Sequence, residues 1–202
     1  SLLKPLSIKR HNIYTCICMR NVVKFNIGNT LSRRKVRYFM KKPELLAPAG
    51  NLECLKTAIR FGADAVYCGG PLLQLRAEKA GFSKEELESA VSFAHENKKK
   101  LYVTVNSFTK NSEIDALKDY AKFLYSIGAD AVIVADLGAV RAVKSAESRL
   151  DVHISTQANC CNYEAALAYY EMGASRIVLA REMTIPEIAE LHAHIPSDLE
   201  LE

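Results

Sequence analysis

Gly62-Ala63-Asp64-Ala65-Val66 recurs as Gly128-Ala129-Asp130-Ala131-Val132 and, more loosely, as Gly173-Ala174-Ser175-Arg176-Ile177. Each copy follows a segment with helical spacing of apolar residues and opens a short β-rich run. The glycine supplies the left-handed residue that ends a helix. The Asp or Ser then falls at the start of a strand. A helix closing into a strand in this way, again and again, indicates βαβ units and a parallel sheet. Working outward, apolar runs at 44–48, 65–68, 100–106, 131–135, 151–156 and 176–180 alternate with amphipathic segments near 52–61, 84–97, 112–126, 137–147, 162–172 and 185–193. A further run opens at 198–202. Asn51, Ser83, Ser112, Asn162 and Thr184 are placed to accept from first-turn amides. Ser83 and Glu86 have capping-box spacing, and Pro186 falls just inside its helix.

Repeated β-then-α units point to an α/β fold of the (β/α) TIM-barrel type, with a doubly wound sheet as the alternative. A whole barrel takes eight strands in ~250 residues. Six to seven runs are present here, and the last has no helix after it. Residues 41–202 therefore read as the N-terminal part of a TIM-barrel-like catalytic domain, an incomplete barrel.

The chain has 202 residues, 49% apolar and 25% charged, the balance of a folded globular protein. No apolar run approaches the ~20 residues that a membrane helix needs. Six cysteines are too sparse for a disulfide scaffold. The net charge of +4 is misleading. Residues 1–40 hold nine Lys/Arg and no Asp or Glu, whereas residues 41–202 hold 18 basic and 23 acidic residues, a net of −5. The body of the chain thus shows no electrostatic footprint for nucleic acid. The basic segment has no sustained period and admits three readings: a targeting presequence, a nucleic-acid arm, or translated leader ahead of a true start at Met40. We favour the last and set residues 1–40 aside as a basic leader outside the fold.

In a barrel, chemistry gathers at the C-terminal ends of the strands. Alternation along 151–157 turns Val152 and Ile154 toward the helices and His153, Ser155 and Gln157 inward. Along 100–106 it turns Tyr102, Thr104 and Asn106 inward. Val132, Val134 and Asp136 share one face of the next strand. So many polar residues inside a barrel suggest a ligand pocket, since each buried polar group costs ~1–3 kcal/mol unless partnered. Two further candidates lie on the same face. Arg76 sits in the long loop after Gly69-Gly70, and Arg181-Glu182 follows the run at 176–180. Asp64 and Asp130 belong to the opposite face, as turn residues. There is no Gly-x-Ser-x-Gly elbow, no His-Glu-x-x-His helix and no phosphate loop. Cys160-Cys161 has no identifiable base beside it. Asn106 and Gln157 are assigned to orienting and binding substrate, with Arg76 and Arg181 as anion holders. Asp136 adds an orienting carboxylate to the catalytic candidates, and His153 and Glu182 are the proton-transfer groups. No residue is assigned to a metal.

Pro43-Glu44-Leu45-Leu46-Ala47-Pro48-Ala49-Gly50-Asn51 followed by Gly62-Ala63-Asp64-Ala65-Val66-Tyr67 and Gly69-Gly70 resembles the opening of peptidase family U32, the collagenase-like proteases. Val103-Thr104-Val105-Asn106, Val134-Ala135-Asp136, His153-Ile154-Ser155-Thr156-Gln157 and Val178-Leu179-Ala180-Arg181-Glu182 continue the match in order. The resemblance implies a TIM-barrel-like N-terminal domain and a cytoplasmic bacterial enzyme. Its name implies a peptidase acting on peptide. Other members hydroxylate RNA bases or quinone precursors without oxygen. The RNA members use prephenate, a small carboxylated molecule, and some members carry an iron–sulfur cluster. Cys54, Cys68, Cys160 and Cys161 match none of the cluster cysteines. The family's characteristic Cys-bearing motif would follow Glu202. An iron–sulfur cluster and a tRNA surface are thus expected in the missing half, and this piece is expected to be inactive alone. Peptidase is the main reading, on the family name, with prephenate-dependent RNA hydroxylation as the alternative; a binding module using the barrel as scaffold is a third class.

Overall fold

The computed structural model describes residues 16–18, 43–73 and 81–202. Among these residues, eight strands form one sheet: β1 (Cys16–Cys18), β2 (Glu44–Ala49), β3 (Ala65–Gly69), β4 (Lys100–Val105), β5 (Ala131–Val134), β6 (Asp151–Ile154), β7 (Ala174–Ile177) and β8 (Glu200–Leu201). Six helices connect the strands from β2 onward: α1 (Leu52–Arg60), α2 (Lys84–Glu96), α3 (Ile114–Ser126), α4 (Leu137–Ala146), α5 (Tyr163–Glu171) and α6 (Ile185–His194). Strand order is the chain order, and β2 through β8 pair in parallel. A doubly wound sheet reverses its order part-way. No reversal occurs here, so the seven parallel strands form a half-barrel. β1 pairs antiparallel with β2 and lies in the segment set aside at the level of sequence.

Side chains of the two faces separate as the alternation predicts. Val66, Leu101, Val103, Val132, Val152 and Ile154 join the large apolar cluster between sheet and helices. Leu46, Ala65, Tyr102, Ala131 and Ile133 form a smaller cluster on the concave side. Within the sheet register, Thr104, Ile133, His153, Arg176 and Glu200 lie in one row.

Caps hold the helix starts. Asn51, Ser83 and Asn162 accept from first-turn amides at 2.8–3.2 Å. Ser83 and Glu86 close a capping box. At Thr184 the roles reverse: its hydroxyl and its amide both donate to Glu187. Ser112 does not cap α3. It lies inside a 3-10 turn (Asn111–Glu113) that precedes the helix.

Gly62, Gly128 and Gly173 all take positive φ, between 84° and 100°, and end their helices as expected. The acidic residue two positions on has a defined task. Leu45 donates its amide to Asp64 Oδ2 at 3.1 Å, and the Asp64 amide donates back to the Leu45 carbonyl at 2.8 Å. Leu101 and Asp130 repeat the exchange at 2.8 and 3.0 Å. Each carboxylate ties the start of one strand to the start of its neighbour. Lys99 adds an ion pair to Asp64 and His95 Nε2 a hydrogen bond to Asp130, each at 3.0 Å. In the third copy the Ser175 hydroxyl donates to the Val152 carbonyl at 3.4 Å.

The strand expected at 176–180 starts earlier, at Ala174, and ends at Ile177. The register against β6 shifts between Val152 and His153, so that Arg176 rather than Ser175 faces His153. This irregularity turns Arg176 onto the concave side. There the Arg176 guanidinium is buried and donates to Glu44 at 2.9 Å, to Glu200 at 2.6 and 3.0 Å, and to Glu202 at 3.4 Å. Glu44 is on β2, at the other side of the parallel array, so this pair spans the concave face.

Candidate functional site

The loops after β6 and β7 meet at the C-terminal mouth. β6 stops at Ile154, two residues short of the expected run, because Ser155 turns the chain. Its hydroxyl accepts from the Gln157 amide at 3.2 Å and starts a 3-10 turn over Thr156–Ala158. Asn159 follows in the left-handed region at φ 53°, which Asn tolerates better than most residues. The loop is stitched to its neighbour twice. Thr156 Oγ1 donates to the Leu179 carbonyl at 3.0 Å, and the Ala180 amide donates to the Cys160 carbonyl at 3.1 Å. Between the two loops lies a cleft of about 270 Å³ lined by Thr156, Gln157, Asn159, Arg181 and Glu182.

Three candidates from the sequence, Gln157, Arg181 and Glu182, therefore share one site. All three are exposed. No ion pair or side-chain hydrogen bond among the described residues engages them. The cleft offers a guanidinium, a carboxylate and two amides to solvent, while the Thr156 hydroxyl is engaged with Leu179. Such a set suits a small polar molecule with at least one anionic group, for which Arg is the planar donor. Thr156 and Asn159 were not expected. A polar Asn directly after a strand-end turn is the signal that marks Asn159, whereas Thr156 points there only through the bond between the two loops.

The remaining candidates are elsewhere. Asp136 is the N-cap of α4, accepting from the Ala139 amide at 2.8 Å. Val132 and Val134 face the helices, and β5 ends before Asp136, so strand alternation does not carry through to it. Asn106 is half-buried at the end of β4. Arg76 lies outside the described residues. Thr104 is satisfied by the Cys68 carbonyl at 3.2 Å.

His153 and Tyr102 face inward as expected but belong to the interior beneath the mouth. Their rings meet edge-on with centroids 4.6 Å apart. The Tyr102 hydroxyl donates to Glu44 at 2.9 Å, and the Arg176 guanidinium lies 5.2 Å from its ring centroid. Burial raises the Tyr102 phenol well above its ordinary value, against the opposing pull of Arg176. Burial, with the charges of Arg176 and Lys100, holds the His153 imidazole well below its usual range. His153 is therefore neutral at pH 7, and its Nδ1 is buried without a hydrogen-bond partner.

Among the described residues, no three His, Cys, Asp or Glu side chains are grouped so as to hold a metal ion. Cys68 is buried and its thiol is pushed up to about 12 by burial, far from the thiolate that an iron ligand must be. Cys160 is buried and Cys54 and Cys161 are exposed, on separate elements or facing different surroundings. Among the described residues, these four cysteines do not come together as a metal-binding group.

The model of peptidase family U32 matches residues 50–202. The chain belongs to this family. A curated U32 relative from Bacillus subtilis (strain 168), described as tRNA hydroxylation protein P1, is 42% identical over 82% of this chain and 39% of its own length. Another, from Methanocaldococcus jannaschii, is described as an uncharacterized protease and is 41% identical over 79% of this chain and 39% of its own. The U32 chain thus spans about two-fifths of the length of these relatives. The solved structure of a U32 peptidase superposes with a TM-score of 0.60 and 19% identity, covering 88% of this chain and 71% of that one, which shows the barrel-type fold. Among the described residues, no helix of this U32 chain is long and apolar enough to cross a membrane.

Proposed function

We propose that this chain carries the small-molecule site of a U32 enzyme that hydroxylates a tRNA base. The observation that carries the proposal is the cleft at the mouth, where Gln157, Arg181 and Glu182 converge without serving the fold. Arg181 holds a carboxylate of the small donor molecule, Gln157 and Asn159 orient it, and Glu182 is the proton-transfer group. A polar cleft of about 270 Å³ can take a small carboxylated metabolite. Replacing a base C–H by C–OH is a two-electron oxidation, so a co-substrate must supply oxygen and accept the electrons. None of the cleft residues is redox-active, consistent with a site that binds and orients. We place any iron–sulfur cluster and most of the tRNA surface on residues other than those described, and the enzyme in the cytoplasm with its tRNA.

Proteolysis is the second reading, favoured by the relative described as a protease. It needs an activated nucleophile or water. Among the described residues, His153 on the concave face beneath the mouth is buried and held neutral by its surroundings, and its Nδ1 has no hydrogen-bond partner, Ser and Cys included.

The test is nucleoside mass spectrometry of tRNA from the source organism, with and without the complete gene and any paralogue. Loss of a hydroxylated nucleoside supports the hydroxylase. An unchanged profile sinks it and returns the weight to proteolysis.

A further inference from the structure

Five large apolar side chains among the described residues are exposed: Phe61, Leu72, Phe108, Leu137 and Ile185. Singly, such residues need no explanation. Their placement is uneven. Leu72, Phe108, Leu137 and Ile185 follow β3, β4, β5 and β7, on the same C-terminal rim as the cleft, and only Phe61, after α1, is at the other end. Phe108 is the aromatic member of the rim group and is 68% exposed.

The loop that carries Phe108 is well anchored. The Ser107 amide donates to the Leu73 carbonyl at 3.0 Å, and the Lys110 amide donates to the Glu113 carboxylate at 2.7 Å. Its sequence, Asn106-Ser107-Phe108-Thr109-Lys110-Asn111-Ser112, is polar except for the one ring, with a single cation and no acidic residue. A flat apolar ring on an anchored polar loop is the arrangement on which unpaired bases stack. The cleft, between the loops after β6 and β7, is two to three strands from β4, or ~10–14 Å at normal strand spacing. A ligand on the Phe108 loop and another in the cleft would therefore be near neighbours.

We propose that Phe108 is the seat of the target base: a nucleobase swung out of a single-stranded RNA loop stacks on its ring, beside the cleft that holds the small donor. This rests on the hydroxylation reading and adds the residue that receives the base. Enzymes acting on a base inside RNA must take it out of its stack, and an aromatic platform compensates for the lost stacking. Residues 41–202 carry a net charge of −5, so phosphate attraction is weak here and stacking carries a larger share of the affinity. Binding at this loop, apart from any contribution of the nine cations in residues 1–40, is thus expected to depend only shallowly on salt.

The chain contains no tryptophan, so Phe108→Trp creates a single fluorophore at the proposed seat. The 202-residue variant is titrated with a single-stranded uridine heptamer and with an abasic heptamer of equal charge. Saturable quenching by the uridine strand alone is expected. By anisotropy with a labelled heptamer, Phe108→Ala should weaken binding on the order of 10- to 100-fold, and Phe108→Tyr should retain it. Equal quenching by both strands, absence of binding, or wild-type affinity of Phe108→Ala would each overturn the proposal. A spectral shift that follows protein concentration without RNA would assign the rim to a protein contact and also overturn it. Mass spectrometry of cells carrying Phe108→Ala in the complete gene separates the two claims. If the hydroxylated nucleoside needs the gene but not Phe108, the seat is wrong and the hydroxylase stands. If it does not need the gene, the hydroxylase itself fails.

Discussion

The two ends of the half-barrel use the same residue types to opposite ends. At the N-terminal end and in the interior, charge is spent on the fold. Asp64 and Asp130 clamp neighbouring strands, and Arg176 gathers Glu44, Glu200 and Glu202 around one buried guanidinium. At the C-terminal mouth, Arg181 and Glu182 stand exposed on a cleft and hold no other element. An arginine is thus structural or available according to what surrounds it. Burial forces partners on Arg176, because an unpaired buried charge costs several kcal/mol. Arg181 remains solvated and is free to exchange water for a ligand.

That contrast can be tested by substitution. The largest effect is expected at Arg176. Arg176→Leu strands three carboxylates in the interior and should cost about 3–5 kcal/mol in urea unfolding. A loss below ~1 kcal/mol would show that the network is weak and would blur the distinction between the two ends.

Gly70 is next, and it marks where the mouth is itself structural. A Cβ there would meet the Tyr120 hydroxyl, with Tyr120 Cζ at 3.1 Å and Leu87 Cδ1 at 3.3 Å. Gly70→Ala should destabilise by roughly 1–3 kcal/mol. Tyr120→Phe removes the overlapping hydroxyl, which is buried without a partner, and should recover part of that loss in the double variant. Purely additive effects would mean that the clash is relieved elsewhere.

The next expected effect is a pH dependence of stability set by His153. Its folded pKa lies well below 6.5, so below that value the unfolded chain binds a proton that the folded chain does not. Stability contributed by the neutral imidazole is complete above pH 6.5 and falls as pH drops toward the folded pKa, by up to ~1.4 kcal/mol per unit. His153→Gln should flatten the stability profile between pH 7 and about 5. An unchanged slope would place the acid sensitivity in other groups.

The smallest effect on stability is expected at the cleft. Gln157→Ala and Arg181→Ala should leave unfolding within ~0.5 kcal/mol of the parent, as exposed substitutions do. In the full-length enzyme the same changes should abolish activity. Full activity in both variants would remove the cleft from the mechanism.

Much of this was legible from residues alone. The Gly-Ala-Asp turns located the strands because a left-handed glycine and a strand-opening carboxylate are local requirements. Apolar alternation correctly turned His153 and Tyr102 inward, since a one-residue slip would bury the wrong face. Asp136 shows where such reasoning stops. Alternation holds only while the strand lasts, and β5 ends at Val134. Asp136 then does what Asp does before a helix, and caps it. Polar residues assigned to a pocket by parity were likewise divided by depth: Tyr102 and His153 sit in the interior, whereas Gln157 reaches the mouth after the chain turns at Ser155.

The sequence by itself determined the unit, a strand and a helix joined by a capped turn, and with it the parallel sheet and the family. Those choices depend on neighbours within a few residues. The tertiary structure alone decided the curvature that lets Arg176 reach Glu44, 132 positions away, and the register shift that turned Arg176 inward. It also decided that the loops after β6 and β7 meet around a cleft. Closure and register are set by the packing of whole strands against one another, and no local pattern specifies them.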